Sequence, residues 1–585
     1  TKRFVFGHYY GLNANNNVIE NIHVRIPDAT NSISVLPDHP IFIGAYLACV
    51  SDNSNTNTAS VDISNCTITG LSTINNIIHG VLMSKGCGNV LSSGGISHPN
   101  GDDHYTTNIV YPSNGNYNPS NGNYSNSSIN ITNCHVTAAR GSYITCHHTD
   151  KYGAGIIVGD FAGGTIRLNN CSAENFHQSE THATSLLWAY VQDTGGMIIG
   201  PFAYADISMN DCHGRYVGYD YYNWHYDHRG VSLIGNSFNG ILNVNNCSHY
   251  SHACTFKGGI VGARSGDREP NTIINVENTV FNGQAVMGSG GIIGPFCDAS
   301  AVTIQRCSVR VVIFDNIDNS VRGDNRSNYS RTSNTNVGAT VTDVQPYASG
   351  GLVGSHCSPV TLTIDECYIE GYCYYLAGYE RQYTGGLIGA QLQAHRQGTT
   401  TITNCGSTLT INRNYNATNT TDITTMGAYI GGDISHNATI NISNCYYYDK
   451  RNTDSSPNYL NWYDNTTDYN GGTTNATITI TNSYKANRAT WSNTTAYTYM
   501  NLNTSGRIQD ISGTSGYLEA PGTGIKFVTV TDRDTVPFVP AFVIDNQPTE
   551  IDQAKWERLV KLYFGDGNEA LGVAKIHLTT IDGGY

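Results

Sequence analysis

A chain of 585 residues with 62 glycines, 39 tyrosines and only 13% charged residues lacks the palette of amphipathic helices and favours short strands joined by polar turns. Its formal net charge of −14 argues against nucleic acid and anionic membranes as partners, because both select for basic surfaces. No apolar run approaches the roughly 20 residues that a transmembrane helix needs, and the expected fold class is all-β.

The chain opens at Thr1 within strand-like sequence, as a trimmed, exported product would. Arg3 to Pro27 alternates like a strand without a recognisable repeat, so residues 1–40 are set apart as an N-terminal cap.

Residues 41–485 are organised by a repeat. Its clearest copy runs Gly385-Gly386-Leu387-Ile388-Gly389, a polar link, then Thr401-Ile402-Thr403-Asn404-Cys405. The same pair recurs as Gly350 to Gly354 with Thr363 to Cys367, and as Gly290 to Gly294 with Thr303 to Cys307. Further glycine blocks lie at Gly195 to Gly200, Gly258 to Gly262 and Gly427 to Gly431. Further second halves end at Cys66, Cys134, Cys171, Cys212, Cys247 and Cys445, while Thr279 and Ser483 replace the cysteine in two copies. Successive second halves lie about 28 to 41 residues apart where no insertion intervenes, a solenoid period. Neither short apolar run can bury its face alone, so stacked neighbours must supply the core. Glycines suit tight corners, and the Asn before Cys suits a left-handed corner whose amide can bond to its counterpart one coil away. A parallel β-helix of about eleven coils satisfies these demands.

On these residues the chain resembles GLUG-type repeat proteins, a group of large secreted and cell-surface proteins that includes bacterial adhesins and proteins of giant viruses. The resemblance covers residues 41–485. It implies a β-solenoid fold and an extracellular, cell-surface or virion-surface location.

Two insertions interrupt the repeat, at 97–128 and 314–346, both rich in Asn and Ser. Such insertions project from one edge of a solenoid and carry contacts, or are plain solvated loops. Arg322-Gly323-Asp324 in the second is an integrin-type tripeptide. Tyrosines crowd three segments. Tyr221 and Tyr222 with Trp224 in one, and Tyr374 and Tyr375 in another, are candidate interface or glycan-stacking aromatics; the alternative is that solvent-facing strands simply need β-formers. Asn123, Asn126, Asn325, Asn416, Asn437 and Asn493 are candidate glycosylation sites.

The cysteines follow the repeat. Cys66, Cys134, Cys171, Cys212, Cys247, Cys405 and Cys445, with Cys307 and Cys367, occupy one repeat position and are expected to form a column of buried thiols. The shared ten-residue spacing of Cys297 to Cys307 and Cys357 to Cys367 favours a disulfide in each pair, with free thiols as the alternative. Cys247 to Cys254 holds four potential zinc ligands in eight residues, but one compact segment rarely wraps a tetrahedron. Cys146-His147-His148 and His225 to His228 are weaker still, so no metal and no cofactor is expected.

Catalysis on a β-helix needs convergent acids on one face. Asp102-Asp103 and Asp220 to Asp227 fall in loops without a basic partner at a fixed offset, so no catalytic residue is assigned. Residues 486–585 change character: Thr549 and the run Ile551 to Tyr563 spell a capped amphipathic helix among non-repeat strands, a C-terminal cap or assembly module. The whole points to a non-catalytic structural or adhesive surface protein that self-associates, with head-to-tail assembly into a fibre as the expected form, and meets glycans or a host or cell surface. A carbohydrate-active β-helix enzyme and a glycan-binding module are the alternatives.

Overall fold

Each repeat closes one coil of a parallel β-solenoid. In the computed structural model the described residues fall, with short gaps, within 17–34, 60–83, 128–145, 155–176, 195–216, 232–314, 350–374, 385–411, 427–449, 461–463 and 476–487, and in four strands between 498 and 527. Among the described residues every regular element is a strand.

One coil shows the path. The strand Ala301–Gln305 lies in a first sheet, Arg306 turns the corner, and Ser308–Phe314 lies in a second sheet. The chain returns through the arch 350–353, which bridges to the arches before and after it, Gly290↔Gly350 and Gly350↔Gly385. Among the described residues the first sheet holds twelve strands, all parallel, and the second fourteen, of which the first twelve are parallel.

Alternation explains the core. In Thr-Ile-Thr-type strands the aliphatic residues face inward and the polar ones outward. Ile304, Ile364, Ile402, Ile442 and Ile480 are register partners and stack in one buried row. The arches add a third wall, where consecutive residues such as Ile292 and Ile293 or Leu352 and Val353 are both buried. One hydrophobic cluster runs without a break from Val61 to Ile480.

The arch demands glycine for a steric reason. A Cβ on Gly290 would sit 2.2 Å from the carbonyl oxygen of Ile293 and 2.4 Å from the amide of Gly354, both rigid backbone atoms. In most coils the variable length of sequence falls between the second-sheet strand and the arch. The insertion at 97–128 instead follows the buried residues Val81, Leu82 and Met83 and leads into Ser128–Thr132.

The ends differ from expectation in one respect. Residues 1–40 contain Asn17–Glu20 and His23–Arg25, which pair in register with Ser60–Ser64 and Thr67–Leu71, and Asn21 adopts the corner conformation at φ 57°. This coil escaped the cysteine signature because Ile22 stands where Cys would, and an aliphatic side chain also packs against the core. At the other end the second sheet continues past Ser483–Asn487 through two antiparallel strands, Thr498–Leu502 and Ile508–Ser512. The helix expected at Ile551 to Tyr563 lies outside the described residues.

Thr400 breaks the inward pattern. It sits between Leu362 and Ile440, is fully buried, and its hydroxyl has no hydrogen-bond partner. The isosteric Thr400→Val removes that buried hydroxyl and is expected to raise stability by about 1 kcal/mol in chemical denaturation. Gly290→Ala, which must displace backbone in two coils, is expected to lower it by more than about 3 kcal/mol in the same assay.

Candidate functional site

The corner between the two sheets is the first place where polar side chains gather. Its residue has positive φ, between 47° at Asn278 and 57° at Asn133, a region in which Asn is the best-tolerated residue after Gly. The Asn amides form a ladder along the solenoid. Asn65 donates to Asn21 at 3.3 Å, Asn133 to Asn65 at 3.0 Å, and Asn444 to Asn404 at 3.3 Å, while Asn170 donates to Asn133. Where the corner is not Asn the ladder is mended. Asp211 accepts from Asn246, and Arg306 donates through Nε to Asn278 at 2.8 Å and through its terminal nitrogen to Glu277 at 3.0 Å. At Glu366 burial and then the neighbouring Asp365 push the carboxyl above its ordinary value, against the pull of Arg306. These groups bind one another and are structural.

Immediately inside the ladder stand the nine corner cysteines, all buried. Their thiols point to carbonyls of their own strand and of the preceding coil: Cys171 reaches Asn169 O and Ile131 O, both at 3.4 Å. Thr279 keeps the local half of this pattern, donating to Glu277 O at 2.7 Å, which explains why Thr replaces Cys there. Burial pushes the Cys212 and Cys405 thiols well above the usual range, and the stacked Cys212 thiol, then burial, does the same to Cys171. Neither the Cys297–Cys307 nor the Cys357–Cys367 disulfide is formed. Cys307 and Cys367 belong to the corner column and are each other's neighbours across one coil. Cys297 and Cys357 stack in a separate place beyond the arch, where Ser358 N bonds to Cys297 O at 2.7 Å and Cys357 Sγ approaches Gly294 O at 3.4 Å.

The second sheet carries a compact polar patch on its outward side. Register places His135, Ser172, His213 and Ser248 in one row, with His135 Nδ1 2.9 Å from Ser172 Oγ and His213 Nδ1 3.0 Å from Ser248 Oγ. Beside them Arg215 lies over the Tyr250 ring at 5.9 Å, and its Nε is buried without a hydrogen-bond partner. Burial raises the Glu174 carboxyl above its ordinary value, opposed by a hydrogen bond from Ser172 and by the Arg215 charge. Sequence reasoning missed this patch, because its members come from four coils and only register brings them together. The same register divides the segment Cys247 to Cys254. Cys247 enters the thiol column, Ser248 faces outward, and His249 turns inward against Phe281, its Nδ1 3.1 Å from Gly214 O.

The first sheet presents the largest accessible side. Each five-residue strand offers three outward positions of intermediate or full exposure. Through the strand Ile273–Glu277 these are mixed and carry charge: Asp62 accepts from Asn130 at 2.6 Å, and Arg167 pairs with Asp206 at 3.2 Å. Threonine occurs there only at Thr132 and Thr165. In the last five strands, from Ala301–Gln305 to Thr477–Thr481, ten of the fifteen outward positions are threonine. No outward residue of this sheet is aromatic, from Ser60–Ser64 onward.

Of the aromatic candidates only Tyr374 falls among the described residues, opposite Phe314 in the second sheet; Tyr221, Tyr222, Trp224 and Tyr375 lie outside them. So do all six candidate glycosylation sites, Asn123, Asn126, Asn325, Asn416, Asn437 and Asn493, and nearly all of both insertions. Among the described residues no group of three His, Cys, Asp or Glu is placed to hold a metal ion, and no helix is long and apolar enough to cross a membrane. No family model, curated protein or solved structure matches the chain.

The thiol column yields a pH prediction. The raised folded values keep protons on the thiols above pH 8.5, where the unfolded chain loses them, so the folded state binds more protons there. Through these three thiols stability is expected to fall as pH rises beyond about 9. Urea midpoints between pH 7 and 10 measure this, and replacing Cys171, Cys212 and Cys405 by Ala is expected to flatten the fall.

Proposed function

We propose that the chain is a non-catalytic, extracellular structural or adhesive surface protein that displays a flat interaction face on a rigid solenoid. One observation carries this reading. The outward side of the first sheet stays accessible along twelve strands while its inward side belongs to a single continuous core. Packed stacks of this kind deform little, so side chains held on them keep fixed spacings, which suits repeated weak contacts with an extended surface.

The ends of the same sheet support self-association. Among the described residues Asn17–Glu20 and Thr477–Thr481 are its outermost strands, and each carries a row of backbone groups on the side away from its neighbour. Pairing of one copy's last strand with the next copy's first would lengthen the solenoid head to tail, a contact that need not close into a ring. The antiparallel extension of the second sheet confines such pairing to the first.

A second reading has its own support. Glu174, Arg215, Tyr250 and the two histidine–serine pairs form a polar cluster with an acid shifted upward, the kind of environment in which acid–base chemistry occurs. A carbohydrate-active enzyme is the function that such a cluster on a β-helix would serve.

Incubation of the full chain with a panel of neutral and acidic polysaccharides separates the two. Retention on cells or polysaccharide without new reducing ends or unsaturated products is the expected result. Product release that disappears in Glu174→Gln would replace the adhesive reading by the enzymatic one. Negative-stain images of the same material are expected to show rods that lengthen with concentration; short particles of constant length would remove the fibre component.

A further inference from the structure

The outward side of the first sheet changes character along its length, and the change is informative. All its strands face solvent in the same way, so a general preference of strands for β-branched residues would spread threonine evenly. Instead threonine is rare through Ile273–Glu277 and dominates from Ala301–Gln305 onward. The strands Thr399–Thr403 and Thr477–Thr481 show the limit, with threonine at all three outward positions. Between them Thr439–Ser443 presents Thr439, Asn441 and Ser443, and before them Thr361 and Thr363 continue two of the three rows.

Register turns this composition into a lattice. Thr361, Thr399, Thr439 and Thr477 are successive partners, as are Thr363, Thr401, Asn441 and Thr479, with no shift or bulge. Rows therefore repeat about every 4.8 Å across the strands and about every 6.6 Å along them, two residues at roughly 3.3 Å each. Threonine holds few side-chain rotamers, so the methyl and hydroxyl of each point are set before any ligand arrives.

The chemistry of the array narrows its occupant. The nine outward positions of the last three first-sheet strands carry no charge, although the chain as a whole has a net charge of −14. An ionic ligand finds no counter-charge there, and a sugar ring finds no aromatic face to stack on. What remains is a flat grid of methyls, which liquid water solvates poorly, interleaved with hydroxyls that can join a hydrogen-bond network. Such a grid matches a neutral, hydrogen-bonded solid of similar spacings. The prism faces of hexagonal ice repeat their oxygens on a related pair of spacings, slightly shorter than the repeat across the strands and somewhat longer than the repeat along them.

We infer that the threonine face of the last coils binds ice. The inference rests on the first sheet being the interaction face of the solenoid and names the surface that face takes. Each hydroxyl contact is weak, and affinity comes from many points engaging at once on a rigid period.

Slow growth of ice in a dilute solution of the labelled full chain tests it. The expected result is enrichment of the chain in the ice by about tenfold over an inert protein of similar size, with faceted crystals and slowed recrystallisation. Thr401→Tyr and Thr479→Tyr place bulk in the middle row while keeping a good strand former, and are expected to abolish the enrichment. Ser208→Tyr, on the same row of the charged half, is expected to leave it unchanged. Circular dichroism confirms that each variant is folded, and Thr401→Val, which keeps shape and removes one hydroxyl, gives a milder second measure. Exclusion of the wild-type chain from ice, or loss on Ser208→Tyr with retention in Thr401→Tyr, would overturn the inference. Retention on crystalline cellulose or chitin without enrichment in ice would overturn it too, yet leave the adhesive reading standing. Polysaccharide turnover would instead remove the adhesive reading itself.

Discussion

The strict in-register stacking of one coil on the next is the constraint on which everything else in this solenoid depends. A parallel ladder satisfies the backbone of each strand only through its neighbours, and each apolar strand face is covered only by the other walls of the same coil. Both conditions hold when every coil has the same perimeter at its three corners. The left-handed corner residue, the thiol beside it and the glycine arch keep that perimeter constant while the sequence between them varies.

From this constraint the division of labour among residue types follows. The corner must turn in one residue, so Asn stands there in most coils; of the exceptions, Asp211 and Arg306 remain tied into the polar ladder, while at Glu366 the next amide, Asn404, bonds to the neighbouring Asp365. The space just inside the corner is small and sealed, which suits a thiol, a threonine or an isoleucine but not a charge. The arch brings its backbone against the next arch, so its glycines answer to contact distances of about 2 Å for any added Cβ rather than to φ alone. Among the described residues the corner cysteines and asparagines, which invite a metal or catalytic interpretation in the bare sequence, are thereby accounted for by packing.

The same logic sets what sequence alone could reveal. The Ile-x-Asn-Cys and Gly-Gly-aliphatic-Gly signals are local, so the all-β solenoid and the amide ladder at the corner were legible from spacing. The first coil was not, because Ile22 does the work of a cysteine without resembling one. The even spacing of Cys297 to Cys307 and of Cys357 to Cys367 reflects two stacked arch-to-corner segments of equal length, each cysteine lying beside its counterpart in the adjacent coil. The patch around Glu174 and Arg215 and the rows of threonine were invisible for a related reason. Their members are tens of residues apart, and only the register shows that they are neighbours.

Function on such a scaffold is written at right angles to the chain. Along the sequence a strand such as Thr399–Thr403 is an ordinary run of β-formers; across the coils it is one line of a two-dimensional array. The inward side of the first sheet cannot vary without opening the core, whereas its outward side can change residue by residue at little cost in stability. A shift from mixed charge to threonine on that free side, with no change in the strands beneath, is therefore a difference in what the surface meets rather than in how the protein folds. The two sheets divide the possibilities accordingly: the second gathers ionisable groups in one small, largely buried patch, and the first spreads neutral groups over a broad, accessible one. A small buried cluster suits a single bound molecule. A broad periodic face suits a surface, and it is the face that continues through every coil of the molecule.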